Sequence, residues 1–321
     1  MTRPSAVPPP VTAVLDASSR WLPARLGEAE DLLREQSGGH GELLGADAAA
    51  TLAAGGKRLR PLLVLLCAGA EGGEEAVRAA AAIELVHMAT LVHDDVLDDA
   101  PLRRGVPTVA ASSGRERAVA VGDLLFSRAF ALLAEHRDGR AVSLLAAASV
   151  ALAEGELAQR HDAYDTGISE ERYLERCRLK TATLFECACL MGRDVEALGS
   201  FGAPVGLAFQ LLDDVLDVSG PAERTGKARG TDLLDGTVTL PLIAAAAVDP
   251  SLRDVDLHSL DPATADQLCD RIAATGALEQ VRSRALEMVS AAKAQLDSDS
   301  FDAEQRQLLG LVADGVVQRY S

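Results

Sequence analysis

The run Ile83-Glu84-Leu85-Val86-His87-Met88-Ala89-Thr90-Leu91-Val92-His93-Asp94-Asp95-Val96-Leu97-Asp98-Asp99 sets the reading of the chain. Its apolar positions, among them Ile83, Val86, Met88, Leu91 and Val92, recur at helical spacing and do not alternate as a strand would. The same period runs outward through candidate helices 11–36, 43–54, 60–70, 74–98, 115–135, 140–162, 169–191, 195–218, 238–248, 262–274, 277–296 and 302–319. Gly55-Gly56, Pro101, Gly105, Gly220-Pro221 and Gly226 punctuate the gaps. The chain has 321 residues, of which 48% are hydrophobic but only 3% aromatic. Ala and Leu carry the apolar load, and both favour helices over strands. The expected fold class is therefore all-α: one domain over 11–321 behind a flexible tail, 1–10.

Charge narrows the function. With 31 Lys and Arg against 48 Asp and Glu, the net charge is −17. Such a surface repels phosphate backbones, so no nucleic-acid partner is expected. No apolar run reaches the roughly 18 residues of a membrane span, and the N-terminal stretch lacks the apolar core of a signal peptide. Cys67, Cys177, Cys187, Cys189 and Cys269 lack metal-ligand spacing and read as reduced, buried thiols of a cytoplasmic protein.

Two segments carry chemistry. The opening run ends in Asp94-Asp95-x-x-Asp98, and Gln210-Leu211-Leu212-Asp213-Asp214-Val215-Leu216-Asp217 repeats that pattern. On a helix, residues i and i+4 stack one turn apart with i+1 close by. Carboxylates so stacked repel unless a cation sits between them, and hard oxygen donors suit Mg²⁺. Solvated faces of an acidic protein produce such runs too. Here both follow strongly apolar turns, which places them at an interior cleft.

Basic residues gather near these aspartates. Gly55-Gly56-Lys57-Arg58-Leu59-Arg60-Pro61 puts cations at a helix N-terminus, where backbone N–H groups also favour anions. Arg103-Arg104 follows the first Asp cluster, and Lys180-Thr181 and Gly226-Lys227 add donors. Metal carboxylates plus several Arg and Lys are what two diphosphates require. His87, two turns upstream of Asp94, fits a phosphate donor or a satisfied core histidine. His93 reads as a packing residue. There is no nucleophile elbow and no phosphate loop.

Together these residues resemble the trans-isoprenyl diphosphate synthases, or polyprenyl synthetases. The segments that match, in family order, are Gly55–Pro61, Glu84–Asp98, Leu102–Thr108, Gly122-Asp123, Lys180-Thr181-Ala182, Phe209–Asp217 and Gly226-Lys227 through Thr239-Leu240-Pro241-Leu242. The resemblance implies an all-α isoprenoid-synthase bundle around a deep central cavity, and a prenyltransferase that condenses isopentenyl diphosphate with an allylic diphosphate. It implies Mg²⁺ on Asp94 and Asp98 and on Asp213 and Asp217, with Asp95 and Asp214 as catalytic neighbours. It places isopentenyl diphosphate at Lys57, Arg60, His87 and Arg104. The allylic diphosphate, or the cation beside it, falls to Arg103, Lys180, Thr181, Phe209, Gln210 and Lys227. It also implies a homodimer. Thr237 departs from the family, many of whose members carry Lys there. The first motif also lacks the two-residue insertion of many bacterial farnesyl diphosphate synthases.

Chain length follows from the helix before Asp94. Ala89 and Thr90 lie roughly 6–8 Å below the metals at about 1.5 Å per residue. Both are small where short-chain relatives carry an aromatic ring, so the expected product is C20 or longer. Phe126 and Phe130 on the next helix are either a deeper floor or rings packed between helices. A terpene cyclase or head-to-head synthase would not need Lys57, Arg60 and Arg104. The large subunit of a hetero-oligomeric synthase remains an alternative. The C-terminal third, beyond about residue 245, carries no motif and reads as packing and a lid.

Overall fold

The computed structural model describes residues 9–18, 21–39, 41–135, 139–220, 229–297 and 300–318. Its elements are α1 (Pro9–Ala17), α2 (Trp21–Gly38), α3 (Gly41–Ala53), α4 (Leu59–Ala68), α5 (Gly73–Leu97), a hairpin of β1 (Leu102–Arg103) and β2 (Val106–Pro107), α6 (Val109–Ser113), α7 (Arg115–Ala134), α8 (Arg140–His161), α9 (Glu170–Cys177), a π turn (Arg178–Ala182), α10 (Thr183–Gly192), α11 (Glu196–Ser219), α12 (Thr231–Leu234), α13 (Leu240–Val248), α14 (Pro262–Ala274), α15 (Ala277–Ala294) and α16 (Ala303–Gln318). The protein is all-α apart from the two-residue strands of that hairpin.

The long helices fall where the apolar period predicts them, and the differences have local causes. The expected helix 11–36 is two helices, α1 and α2, and α1 already begins at Pro9. Proline is tolerated in a first helical turn, where its missing N–H has no partner to lose. The expected helix 169–191 is broken by the π turn, which a periodicity of 3.6 cannot reveal. The hairpin is too short to show alternation. Its two-residue turn, Arg104-Gly105, has positive φ at both residues, 55° and 77°, as a tight hairpin turn of the right twist demands. Thr108 closes the segment: its hydroxyl donates to Ala100 O at 2.7 Å and accepts from Ala111 N.

The residues fall into two compact units. The first is drawn from Met1–Ser149, Cys187–Gly199 and Asp297–Gly315. Its centre is α5, which packs on α7, α4 and α2 and buries nearly every residue from Ala76 to Ala89. Helix α16 belongs to this unit as far as Gly315. Buried Gln305 donates its amide to Leu66 O at 2.8 Å and Cys67 O at 3.0 Å, satisfying carbonyls that the last turn of α4 leaves open.

The second unit is drawn from Val150–Glu186, Ser200–Leu296 and Val316–Ser321. Here α13 packs on α15 and α9. Gly155 of α8 lies so close to the π turn that a Cβ would stand 2.6 Å from the backbone N of Lys180. All five cysteines are buried thiols outside any disulfide.

Against the expectation from the sequence, α5 with the turn before it (Ala70–Leu97) and α8 are each long and apolar enough to cross a membrane, by length and composition. The apolar window of α5 is 72% buried inside the protein, as in a core helix, while that of α8 is 28% buried.

Candidate active site

In the first unit the site is built on backbone that glycine would usually supply. Arg58, the residue before α4, is left-handed at φ 48°, and Arg104 in the hairpin turn is left-handed at φ 55°. Such conformations cost a non-glycine residue free energy and persist where surrounding structure enforces them. Both residues send guanidinium groups to one place. A Cβ on Gly56 would lie 2.8 Å from Arg58 Nη1 and 3.2 Å from Arg104 Nη1, so glycine leaves room for the two cations. The pocket beside them, about 700 Å³ with the open solvent in it, is lined by Arg58, Glu84, His87, Asp95, Arg103 and Arg104 among others.

Counter-charges hold these cations in place. Arg58 pairs with Glu30 and, at 3.0 Å, with buried Glu84. Burial works against its charge, but Glu84 and Glu30 outweigh it and its pKa is raised. Arg60 is pushed down to about 10 by burial, against the pull of Glu84. It therefore stays charged at neutral pH. His87 is pushed well below the usual histidine range by burial, then by Arg60, Arg104, Arg103 and Arg58 in turn. A neutral imidazole still donates one N–H. Lys57 is half-buried in the same loop.

The two Asp motifs divide alike. Asp94 is half-buried and Asp98 exposed, while Asp95 between them is buried, accepting from Arg103 Nε at 2.7 Å. Asp213 is exposed and Asp217 half-buried, while Asp214 is buried. Asp214 accepts from the Tyr173 hydroxyl and, at 2.8 Å, from Gln210 Nε2. Burial raises the Asp214 pKa, with Asp232 and Asp213 adding to the rise, while Tyr173 and Gln210 oppose it. Asp217 Oδ2 accepts from Asp232 N at 3.2 Å.

Each motif thus offers two accessible carboxylates one turn apart, its second aspartate being engaged internally. Among the described residues no group of three or more His, Cys, Asp or Glu side chains forms a metal cluster. Magnesium takes one or two protein carboxylates and completes its shell with water and substrate phosphate, so this donor set fits it.

Lys180 and Thr181 lie in the π turn itself, a distortion that often marks functional sites. Lys180 pairs with Glu156 at 2.5 Å. The Thr181 hydroxyl donates to Gln210 Oε1 at 2.8 Å. Phe209 is half-buried, its ring 5.6 Å from that of Phe185. Thr237 is half-buried, and its N–H donates to Asp232 O at 2.7 Å. Lys227 lies outside the described residues.

Along α5, Ala89 is fully buried and Thr90 half-buried. The Thr90 hydroxyl donates to His87 O at 2.8 Å. His93 fills the notch at Gly122, where a Cβ would stand 2.1 Å from its Nε2. Its ring stacks on that of Phe126 at 6.0 Å, and Phe130 is half-buried.

Four contributors escaped the sequence reading. Arg58 was read as one of three cations at the helix N-terminus but not placed among the substrate residues, and its left-handed backbone is invisible in one dimension. Glu84 was legible as a lone carboxylate on an apolar helix. Tyr173 and Glu156 gave no local signal.

In the first unit an accessible carboxylate pair lies near clustered guanidinium groups, and the second unit carries a second accessible carboxylate pair, donor types that suit magnesium and diphosphate esters. Residues 42–271 match the polyprenyl synthetase family, and the chain belongs to that family. It is 43% identical over 226 residues to component 2 of heptaprenyl diphosphate synthase from Geobacillus stearothermophilus, covering 67% of this chain and 70% of that one. It is 35% identical over 301 residues to geranylfarnesyl diphosphate synthase from Natronomonas pharaonis, covering 84% and 87%. Among solved structures it is similar to the polyprenyl synthase from Caulobacter crescentus CB15 complexed with calcium and isoprenyl diphosphate. That match has a TM-score of 0.87 and 34% identity, and covers 99% of this chain and 100% of that one. The protein is an isoprenyl diphosphate synthase, and so a prenyltransferase.

Proposed function

We propose that the chain condenses isopentenyl diphosphate with an allylic diphosphate head to tail, 1′ to 4, and makes an all-trans polyprenyl diphosphate of C20 or longer. The observation that carries this reading is the pocket in the first unit. Several guanidinium groups and a neutral imidazole meet there beside the first Asp motif, a diphosphate cradle that a cyclase does not need.

Asp94 with Asp98, and Asp213 with Asp217, would hold Mg²⁺, which when bound neutralises charge growing on the departing diphosphate. Arg58, Arg60 and Arg104, with Lys57, would hold isopentenyl diphosphate, and His87 would donate to it without adding charge. Arg103, Lys180 and Lys227 are assigned to the allylic diphosphate. Its C–O bond breaks, the isopentenyl double bond attacks the cation, and the released pyrophosphate takes the proton lost from the new chain. The oxygen dipoles of Thr181 and Gln210 and the ring face of Phe209 suit a cation.

The small side chain of Thr90, on the helix face of Asp94, supports the longer product. The likeness to a synthase component favours, as a second reading, an active subunit that works with a partner; a homodimer is the first expectation.

The test compares Arg104→Ala with the wild type, using labelled isopentenyl diphosphate and geranyl diphosphate. The expected result is a KM for isopentenyl diphosphate raised at least about tenfold, with that for the allylic substrate little changed. An allylic KM that rises instead, with isopentenyl diphosphate unaffected, contradicts the assignment.

A further inference from the structure

A buried chain of hydrogen bonds in the second unit runs beyond the residues assigned to substrate. It starts at Tyr173 on α9, a wholly buried side chain whose hydroxyl donates to Asp214 Oδ2. Asp214 Oδ1 accepts from Gln210 Nε2 at 2.8 Å. Gln210 Oε1 accepts from Thr181 Oγ1 at 2.8 Å. An amide NH₂ only donates and an amide carbonyl only accepts, so Gln210 gives to Asp214 and Thr181 gives to Gln210. Both ends of the Gln210 amide are therefore committed. Its carbonyl points to Thr181 because its NH₂ is claimed by the carboxylate.

The anchor of this chain is itself held. The Arg176 guanidinium lies 5.4 Å from the centre of the Tyr173 ring, and Arg176 Nη2 donates to Val238 O at 2.6 Å. The Thr181 end is set by the π turn, which Gly155 lets approach α8. Without the Tyr173 hydroxyl, one oxygen of a buried carboxylate loses its donor, and Asp214 can turn about its own axis to seek another. The direction of the Gln210 carbonyl is then no longer unique.

We infer that Tyr173 is a positioning residue for prenyl transfer. Through Asp214 it aligns the Gln210 carbonyl and the Thr181 hydroxyl, the dipoles that meet the allylic cation. The inference rests on the prenyl-transfer reading above.

A double-mutant cycle on turnover separates this role from simple packing. Tyr173→Phe, Gln210→Leu and the double variant are assayed with isopentenyl and geranyl diphosphates. Tyr173→Phe is expected to lower kcat at least about tenfold while leaving both KM values within about twofold. Added to Gln210→Leu, it is expected to cost nothing further, because the amide it aligns is gone. An unchanged kcat in Tyr173→Phe, or the same loss in both backgrounds, overturns the inference. If Tyr173→Phe does not fold, Asp214→Asn interrupts the same chain and is read by the same cycle with Gln210→Leu. A wild type that releases pyrophosphate from geranyl diphosphate without incorporating isopentenyl diphosphate overturns the prenyl-transfer reading and this inference with it. An active wild type indistinguishable from Tyr173→Phe overturns the inference alone.

Discussion

Within each Asp motif the residues divide by exposure, and the division predicts different defects. Asp94 and Asp213 are accessible and sit on helix faces, so replacing either with Ala should leave the melting temperature nearly unchanged. Turnover should fall about a thousandfold, equivalent to ~4 kcal/mol of transition-state stabilisation. Asp95→Ala should do more, because it leaves Arg103 beside a buried vacancy; melting temperature and activity should fall together. Thermal melts alongside kinetics check both outcomes. His87 adds a pH signature. Burial and the surrounding Arg60, Arg104, Arg103 and Arg58 hold its folded pKa well below 6.5, against the carboxylates of Glu84, Asp95 and Asp47 that line the same pocket. The unfolded chain therefore binds a proton near pH 6.5 that the folded chain refuses. Stability contributed by this difference is present above that pH and is lost as pH falls toward the folded value. Melting curves between pH 7.5 and about 5 should show a shallower decline for His87→Gln than for the wild type. At this scale the aspartates, Arg60, Arg104 and His87 were legible, because their chemistry is written in residue type and spacing. The pairing of Asp95 with Arg103 and of Asp214 with Tyr173 was not, because spacing cannot say which of two adjacent carboxylates turns inward.

Elements place those residues, and here periodicity serves unevenly. Helix α5 was readable from its apolar repeat, and its face decides which side chain controls product length. Thr90, Asp94 and Asp98 succeed one another at i, i+4, i+8 and share that face, whereas Ala89 is turned away by a further 100° and is fully buried. Thr90→Phe should thus shorten the product by at least one isoprene unit with little change in melting temperature. Ala89→Phe should cost about 1–3 kcal/mol through overpacking. Product masses and thermal melts distinguish the two. A product unchanged in Thr90→Phe would remove that residue from the elongation path. The hairpin at Arg104-Gly105 and the π turn at Arg178–Ala182 were not legible. Both are exceptions to the periods on which helix and strand recognition depend, and both carry residues assigned to substrate. Local regularity fails most readily where backbone is bent to aim a side chain.

For the whole molecule, composition was enough to give the all-helical class, since an Ala- and Leu-rich chain with so few aromatics has little to build a sheet from. Family membership adds the chemistry, and relatives of several chain lengths leave the product as the open quantity. Partner need is decided at this scale too, because a synthase subunit that requires a second protein would carry its motifs intact and still be silent alone. The most direct measurement uses the purified chain with Mg²⁺ and labelled isopentenyl diphosphate, supplied separately with dimethylallyl, geranyl, farnesyl and geranylgeranyl diphosphates, and sizes the products by mass. The account predicts a ladder of all-trans diphosphates ending at a defined length of C20 or longer. Pyrophosphate released from an allylic substrate without incorporation of isopentenyl diphosphate would contradict it.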